Sequence, residues 1–289
     1  MSRSRKNPGL VAVALVLCSL VPATGCNALH YMPIAKAEKR LSEDFKTSNA
    51  PKIVVDTFNG AIDVSRGNDG EVLVDVIKRA SGIDQPTAEA ALNTVQVTMV
   101  QKENTLTIHA ERLERGPGSF GASVVIAVPA ASQLELRTSN GHVVCEQVDG
   151  SIDAHTSNGR LEVFEGRGPM NLKTSNGTIE IDATDATVDA KTSNGRIEFR
   201  GTLADAKQQF KTSNGRIKLV VPGDSEFRFD GHTSNSRIQF DFPIDTGDHR
   251  RRRNDLEGVV GNDPDPACTI VASSSNGSIQ VRNADEYQD

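Results

Sequence analysis

The chain has 289 residues, with 32 basic and 38 acidic side chains, and its formal net charge is −6. General nucleic-acid binding is not expected of such an acidic chain, because neutralising phosphates requires a basic surface. The chain contains ten Phe, two Tyr and no Trp, so a core must be built mainly from Val, Ile, Leu and Ala.

The first 25 residues are organised like a signal peptide. Three basic residues precede an apolar run over residues 10–21, which is too short to span a bilayer, since a spanning helix needs about 20 apolar residues. The tetrapeptide Ala-Thr-Gly-Cys that ends at Cys26 resembles the lipobox of bacterial lipoproteins. The resemblance implies that Cys26 bears fatty acyl chains such as palmitate and attaches the protein to the cell membrane or outer membrane of a bacterium. An ordinary secretory signal with an incidental cysteine is the alternative.

Residues 26–50 show no strand pattern and are predicted to form a lipidated tether. Their polar stretch over residues 35–45 is compatible with one or two helical turns.

An internal repeat dominates the rest of the chain. Thr-Ser-Asn-Gly occurs five times, and three variants of it (Thr-Phe-Asn-Gly, Thr-Ser-Asn-Ser and Ser-Ser-Asn-Gly) occur once each. The asparagines of the eight copies are Asn59, Asn140, Asn158, Asn176, Asn194, Asn214, Asn235 and Asn276. From Asn140 onward they are separated by 18, 18, 18, 20, 21 and 41 residues. The last interval is about two periods, so we expect an insertion to replace one repeat.

Alternating apolar residues flank each tetrapeptide on both sides, as in Ile152/Ala154 before one copy and Leu161/Val163 after it. A period of two indicates strands with one buried face, so each copy joins two short strands at its Asn-Gly. Parity places the threonine and the asparagine inward and the serine outward. The glycine is expected to supply a positive φ at the corner.

Two architectures satisfy this pattern. In an antiparallel meander, each Asn-Gly would be a hairpin turn. In a single-stranded parallel β-helix, or β-solenoid, each period of 18–20 residues is one rung and the copies stack in parallel. The solenoid is favoured because a hairpin gives no reason for Thr and Ser to recur, and parallel crossovers of this kind are mostly right-handed.

The predicted organisation has two parts. Residues 51–132 form an N-terminal cap and the first rungs, with strands at residues 72–77, 95–100, 106–109 and 124–128 and a short helix at residues 87–92. Residues 133–289 form the repeat solenoid, with an Arg-rich insertion at about residues 243–266.

The tandem T-S-N-G repeat, the early copy beginning at Thr57 and the last Ser-Asn-Gly-Ser-Ile copy resemble the bacterial "putative adhesin" β-solenoid family. The resemblance implies a β-helix with a role at the cell surface and no catalytic residues.

Stacking would turn the basic residues beside each corner into two outward columns. One column precedes each threonine, and the other follows each glycine. Together they form a candidate stripe for binding a linear anionic envelope polymer, and a surface protein is the other possible partner. The first column contains Arg137, Lys173, Lys191 and Lys211, with His155 and His232. The second contains Arg160, Arg196, Arg216 and Arg237, with His142. The alternative is a solvated face neutralised by the neighbouring acidic columns.

The remaining candidates are isolated. Cys145 and Cys268 are predicted to be free and buried, since about five rungs would separate them. The arginine run at residues 250–253 is either an anion contact or a solvated loop. No metal, cofactor or catalytic site is predicted, because the histidines show no ligand spacing. Asp263 and Asp265 are the only carboxylate pair that suggests a carbohydrate-active enzyme. The expected function is instead that of a surface interaction module, or of a purely structural, self-associating module.

Overall fold

The structure is a computed structural model that describes residues 35–113, 118–247 and 252–286. The predicted signal peptide, Cys26, Arg250 and Arg251 lie outside these residues. The described chain begins with β1 (Ala35–Lys46), β2 (Lys52–Thr57), β3 (Ile62–Arg66), β4 (Glu71–Gly82), the helix α1 (Gln85–Asn93), β5 (Val95–Lys102), β6 (Thr105–Arg112) and β7 (Phe120–Val128).

The repeat region contains the remaining strands. They are β8 (Gln133–Thr138), β9 (Val143–Glu146), β10 (Ile152–His155), β11 (Leu161–Lys173), β12 (Ile179–Lys191), β13 (Ile197–Leu203), β14 (Lys207–Thr212), β15 (Ile217–Val221), β16 (Phe227–Thr233), β17 (Ile238–Phe240), β18 (Asp255–Val260), β19 (Thr269–Ser274) and β20 (Ile279–Asn283). The fold is therefore all-β, as the sequence predicts.

The repeat copies pair side by side in parallel. Ile152 of β10 lies between Leu134 of β8 and Met170 of β11, each 18 residues away. After the glycine, Leu161 lies between Val143 and Ile179 in the same way. The Asn-Gly pairs are therefore corners between stacked strands, and the hairpin alternative is wrong. We call one repeat copy with its two flanking strands a rung and name it by its asparagine.

Alternate residues of each strand are buried, which forms the core. In β10, Ile152 and Ala154 are buried while Asp153 and His155 are exposed. The same alternation in every rung stacks Val, Ile, Leu and Ala into continuous columns, and each fully buried large aliphatic side chain stabilises the fold by roughly 1.5–3 kcal/mol. Phenylalanines are concentrated near the C-terminal end, where the Phe229 and Phe240 ring centroids are 4.8 Å apart.

The order of stacking differs from the order of the chain at the N-terminal end. The Asn59 rung (β2 and β3) stacks directly on the Asn140 rung (β8 and β9). The intervening chain folds back, and β6 and β7 stack on the opposite side of the Asn59 rung. This segment falls within residues 51–132, for which the sequence predicts an N-terminal cap and the first rungs.

The order of stacking also differs from the order of the chain at the C-terminal end. The last copy, the Asn276 rung, lies between the Asn214 rung and the Asn235 rung. The insertion contains β18, which pairs antiparallel with β16 at the end of the stack. The expectation that the insertion replaces a rung is therefore wrong. The chain first forms the Asn235 rung at the outer position, and the long interval then lets it return and place the Asn276 rung between the Asn214 and Asn235 rungs.

Antiparallel strands and one helix cover the N-terminal end. β1 pairs with β4 along twelve residues, from Ala35 opposite Gly82 to Lys46 opposite Glu71. The helical turns expected at residues 35–45 are wrong, and this part of the predicted tether belongs to the folded domain. The predicted helix at residues 87–92 is confirmed by α1, whose first turn is capped by Asp84 through the Thr87 N–H.

Candidate binding surface

The threonine of each exact Thr-Ser-Asn-Gly copy points into the core and makes two hydrogen bonds there. Thr174, which is 7% exposed, donates from Oγ1 to the carbonyl oxygen of Gly159 in the preceding rung at 3.0 Å. The same hydroxyl accepts the N–H of Gly177 in its own corner at 3.2 Å. Each buried hydroxyl thus connects its own corner to the corner below it, as the inward parity of threonine predicts.

The corner glycines are required by close stacking and not by a positive φ. A Cβ at Gly177 would lie 1.7 Å from the carbonyl oxygen of Gly159, and one at Gly195 would lie 1.6 Å from that of Gly177. The positive-φ glycines lie elsewhere, for example at Gly168 and Gly201. The expectation of a positive φ at the corner is therefore wrong.

The asparagines form a ladder on the exposed side of the corner. Asn158 Nδ2 donates to Asn140 Oδ1 at 2.7 Å, and Asn176 repeats the contact to Asn158 at 2.7 Å. The ladder includes all eight copies, in the spatial order Asn59, Asn140, Asn158, Asn176, Asn194, Asn214, Asn276 and Asn235. The inward position predicted for asparagine is wrong, because the chain leaves strand geometry at the corner and the parity of two ends there.

The two basic columns lie on either side of this ladder. In the first, Arg137, His155, Lys173, Lys191 and Lys211 are successive partners across parallel strands. The second follows the glycines in the same stacking order. Its members are His142, Arg160, Thr178, Arg196, Arg216, Ser278 and Arg237. All eight residues of the predicted stripe therefore lie in two columns. Uncharged residues interrupt the series of basic side chains at Ser273 in the first column and at Thr178 and Ser278 in the second.

Acidic neighbours neutralise part of this surface. Five of the eight stripe cations have a carboxylate partner, mostly two residues away in the same rung: Arg137 with Glu135, Lys191 with Asp189, Arg160 with Glu162, and Arg196 and Arg216 with Glu198. These exposed pairs contribute little stability, about 0–1 kcal/mol each. Within the described residues, Lys173, Lys211 and Arg237 have no such ion pair, so three cations of the stripe remain available to an external anion.

A shallow groove lies beside the first column. Its volume is about 230 Å³, and three stacked strands and Lys207 line it. The lining residues are Ser151, Ile152, Asp153, Pro169, Met170, Asn171, Thr187, Val188, Asp189 and Lys207. The sequence did not indicate this groove, because its lining combines ordinary outward positions of the repeat with the buried residues Ile152, Met170 and Val188.

Two hydrogen-bond acceptors of the groove have no donor in the described part of the chain. These are Oδ1 of Asn171 and Oδ1 of Asp189, both buried atoms. The other atoms of the two side chains are occupied, since Asn171 Nδ2 donates to Asp153 at 3.3 Å and Asp189 Oδ2 accepts from Lys191 at 2.9 Å. Buried acceptors are normally paired, so these two atoms lie just below the groove surface without the hydrogen bonds that such groups usually make.

The other candidates lie elsewhere in the fold, except that Arg253 follows Arg237 at the end of the second column. Arg252 donates its backbone N–H to Asp255 at 3.0 Å, and Arg253 accepts the N–H of Ile238, so this part of the arginine run is joined to the end rung. Asp265 is exposed and pairs with Arg228 at 3.2 Å. Cys145 and Cys268 are free and buried, as predicted.

Comparison with known proteins finds one family model and several solved structures that are similar to this chain. Residues 162–282 match the model of the Toastrack DUF4097 family, from β11 to the end of the last rung. A search of curated protein sequences found no match. The match covers less than half of the chain and so concerns the repeat region.

Several solved structures are similar at low identity. A "putative cell adhesion protein" from Clostridium sporogenes is 11% identical, with 86% of this chain and 100% of the other covered and a TM-score of 0.37. A "putative adhesin" from Bacteroides fragilis is 12% identical, with 84% and 97% covered and a TM-score of 0.37. A "putative lipid binding protein" from Parabacteroides distasonis is 9% identical, with 84% and 97% covered and a TM-score of 0.35. The parallel pairing of the repeat copies defines the fold of this chain independently of these structures.

Two features are absent from the described residues. None of their helices is long and apolar enough to cross a membrane. They also contain no group of three or more His, Cys, Asp or Glu side chains arranged to hold a metal ion.

Proposed function

We propose that this chain is a lipid-anchored cell-envelope protein whose repeat surface binds an acidic surface polysaccharide without turning it over. The observation behind the proposal is the adjacency of unpaired cations and unpaired acceptors. Lys173 follows Asn171 by two residues on the same strand, so its side chain leaves the strand on the face that bears the groove-lining Asn171. The carboxylate or phosphate groups of an acidic polymer would pair with the cations, and its hydroxyl groups would reach the two acceptors after the groove side chains move aside.

The repeat favours a long ligand over a small one. Equivalent side chains recur at about the 4.8 Å strand spacing along each column, so the same contact is offered several times. Repeated weak contacts raise the total affinity without any single strong site. The available cations Lys173 and Lys211 are two rungs apart on one column.

Binding of the full-length protein, purified in detergent, to immobilised acidic envelope polysaccharide across a salt series tests this. The double variant Lys173→Gln/Lys211→Gln should bind at least about tenfold more weakly at low salt, because two charge-assisted contacts are lost. The control Arg66→Gln/Lys102→Gln makes the same charge change at exposed positions away from the columns. Equal loss in both variants, or no salt-dependent binding to any acidic polymer, contradicts the proposal.

The lipid anchor is part of the proposal and rests on the sequence around Cys26. Metabolic labelling with a palmitate analogue should acylate the protein in its bacterial host, and Cys26→Ser should abolish the label. An unchanged signal in Cys26→Ser would place the acyl chain elsewhere.

We also infer that the stack is a right-handed, single-stranded parallel β-solenoid with 18–20 residues per rung. Register offsets support the rung size, since Ile152 pairs with Met170 and Ile197 pairs with Ile217. The hand follows the rule for parallel crossovers. A crystal structure of the protein tests both.

A further inference from the structure

Exposed apolar side chains are concentrated at the N-terminal cap. Of the six large hydrophobic residues that are exposed in the described part of the chain, five lie between residues 71 and 128. The most exposed are Ile83 at 63% and Leu113 at 60%. Exposed apolar residues grouped in this way mark an interaction surface more often than scattered ones do.

Ile83 and Leu113 lie at opposite ends of α1. Ile83 immediately precedes the N-cap residue Asp84. Leu113 donates its backbone N–H to the carbonyl of Thr94, the C-cap residue, at 3.0 Å. The helix packs against β4 and β1 through its buried residues Ala88 and Leu92. Its nine residues span about 13 Å, so α1 separates the two exposed apolar side chains along one edge of the cap.

The proposed anchor enters the fold at the same place. Ala35, the first residue of β1, pairs with Gly82, which directly precedes Ile83. From Cys26 to Ala35 the chain advances nine residues, which reach at most about 30 Å. A lipid on Cys26 therefore holds the Ile83 end of the cap close to the membrane surface.

Two lysines without carboxylate partners lie on the same sheet. Lys39 of β1 is directly opposite Lys78 of β4, and neither forms an ion pair within the described residues. Like charges directly opposite each other destabilise a sheet. The nearby acids are occupied, since Glu38 pairs with Arg79, Asp75 lies 3.8 Å from Arg40, and Asp84 caps α1. Burial lowers the pKa of Lys78, and the Lys39 charge lowers it further. An anion from outside the protein would reduce the repulsion between these two ammonium groups.

We propose that the cap docks on the anionic bilayer surface that holds the Cys26 lipid, with Ile83 and Leu113 entering the interface and Lys39 and Lys78 contacting lipid phosphates. This inference rests on the lipid anchor of the proposed function. It orients the stack, because the cap lies on the membrane and successive rungs extend the polymer-binding columns away from it.

Site-specific fluorescence on the lipidated full-length protein, reconstituted into phosphatidylcholine and phosphatidylglycerol vesicles, tests the docking. Ile83→Cys and Phe164→Cys each introduce one exposed thiol for an environment-sensitive label, and Phe164 is the exposed apolar residue outside the cap. Cys145 and Cys268 are buried and remain unlabelled. The label at position 83 should shift to the blue and be quenched by brominated acyl chains, while the label at position 164 should remain in water.

The outcomes separate docking from anchoring. A protein that floats with the vesicles while both labels remain in water overturns the docking alone. A label at position 83 that is shielded but not quenched by brominated lipid identifies a protein occupant and also overturns it. A protein that does not float with the vesicles overturns the anchor and the docking with it.

The electrostatic part has its own variant. Lys39→Gln/Lys78→Gln should reduce the quenching at position 83 on anionic vesicles to the level seen on pure phosphatidylcholine. The matched change Lys173→Gln/Lys211→Gln in the repeat should leave the quenching unaltered. Equal quenching in all three proteins would overturn the assignment of the two lysines.

Discussion

At the scale of single residues, three of the four positions that recur in the corner have their own physical reason. The threonine hydroxyl connects two corners, the asparagine continues an exposed ladder, and the glycine leaves room for the carbonyl below it. The serine contributes through its backbone, since the carbonyl of Ser157 accepts the N–H groups of both Ser175 and Asn176. Nothing in the structure explains the serine side chain itself.

A methyl group at a corner glycine should separate the rungs locally. In Gly177→Ala, the new Cβ would lie 1.7 Å from the Gly159 carbonyl oxygen, which is backbone and cannot rotate away. We expect the free energy of unfolding to fall by about 3 kcal/mol or more, measured by chemical denaturation. Ser175→Ala in the same corner should change it by less than about 0.5 kcal/mol. Similar stabilities for the two variants would contradict the stacking argument.

Loss of the threonine hydroxyl tests the other corner contact. Thr174→Val keeps the shape but leaves the Gly159 carbonyl and the Gly177 N–H without their partner. The expected loss of stability is about 1–3 kcal/mol. Thr174→Ser retains the hydroxyl, as Ser274 does naturally, and should be closer to the original protein. If Thr174→Ser lost as much stability as Thr174→Val, the methyl group of the threonine would contribute more to stability than its hydroxyl group.

Sequence reasoning at this scale succeeded where the chain is a strand. The period of two correctly predicted that Thr174 is buried, since it still belongs to the strand pattern. It failed at Asn176 and Gly177, because both lie beyond the strand, where side-chain direction depends on the corner backbone. The unoccupied acceptors of Asn171 and Asp189 depend on distances between rungs, which a repeat pattern does not encode.

At the scale of elements, both ends of the stack are closed by chain that leaves the repeat and returns. Identical copies can pair with any neighbour, so the sequence predicted the rungs but not their spatial order. The antiparallel strand β1 was also not predicted. Most of its residues are exposed and polar, and only a few apolar residues such as Leu41 and Phe45 face the core. A short stretch of this kind resembles a polar helix or tether.

Removing β1 should expose a strand edge. A chain that begins at Pro51 lacks the partner of β4, whose twelve residues would then present unpaired backbone groups. Open edges promote association with other chains. We expect concentration-dependent oligomers in size-exclusion chromatography with light scattering, whereas a chain that begins at Ala35 should show fewer. Equal behaviour of the two would mean that β1 does not protect the edge.

The out-of-order rung makes the C-terminal strands necessary for the strands before them. Deleting residues 269–289 removes β19 and β20, which lie between the Asn214 and Asn235 rungs. β16 and β17 would lose their parallel partners, although they precede the deletion. Hydrogen exchange should show loss of protection in residues 227–240 with protection retained in β10 and β11. Retained protection in β16 would contradict this stacking order.

At the scale of the whole molecule, the stack is nearly one-dimensional, since each rung mainly contacts its two neighbours. The middle rungs repeat the same contacts, whereas the two ends of the stack differ from each other in the surfaces that they expose. One end bears the exposed apolar residues and the chain that leads to Cys26. The opposite end bears β18 and the aromatic cluster around Phe227. The columns between them are the surface offered to a polymer.

The two buried thiols report how this stack opens. Burial raises the pKa of Cys145 to about 12, with Asp63 adding to the shift, and burial raises that of Cys268 to about 11. Because the thiolate is the reactive form, only about one molecule in a thousand or fewer is reactive at pH 8 even where reagent has access. Native protein should therefore resist thiol reagents at that pH.

Denaturant should then label the two thiols in sequence. Cys268 precedes the Asn276 rung, which has one rung and β18 beyond it, whereas Cys145 has rungs on both sides and the cap beyond them. In a stack held by neighbour contacts, the thinner end opens at the lower free energy. Pulsed thiol labelling with mass spectrometry should detect Cys268 at a lower denaturant concentration than Cys145. Simultaneous labelling would instead show that the eight rungs unfold as one cooperative unit, with the returning C-terminal strands locking the end to the middle.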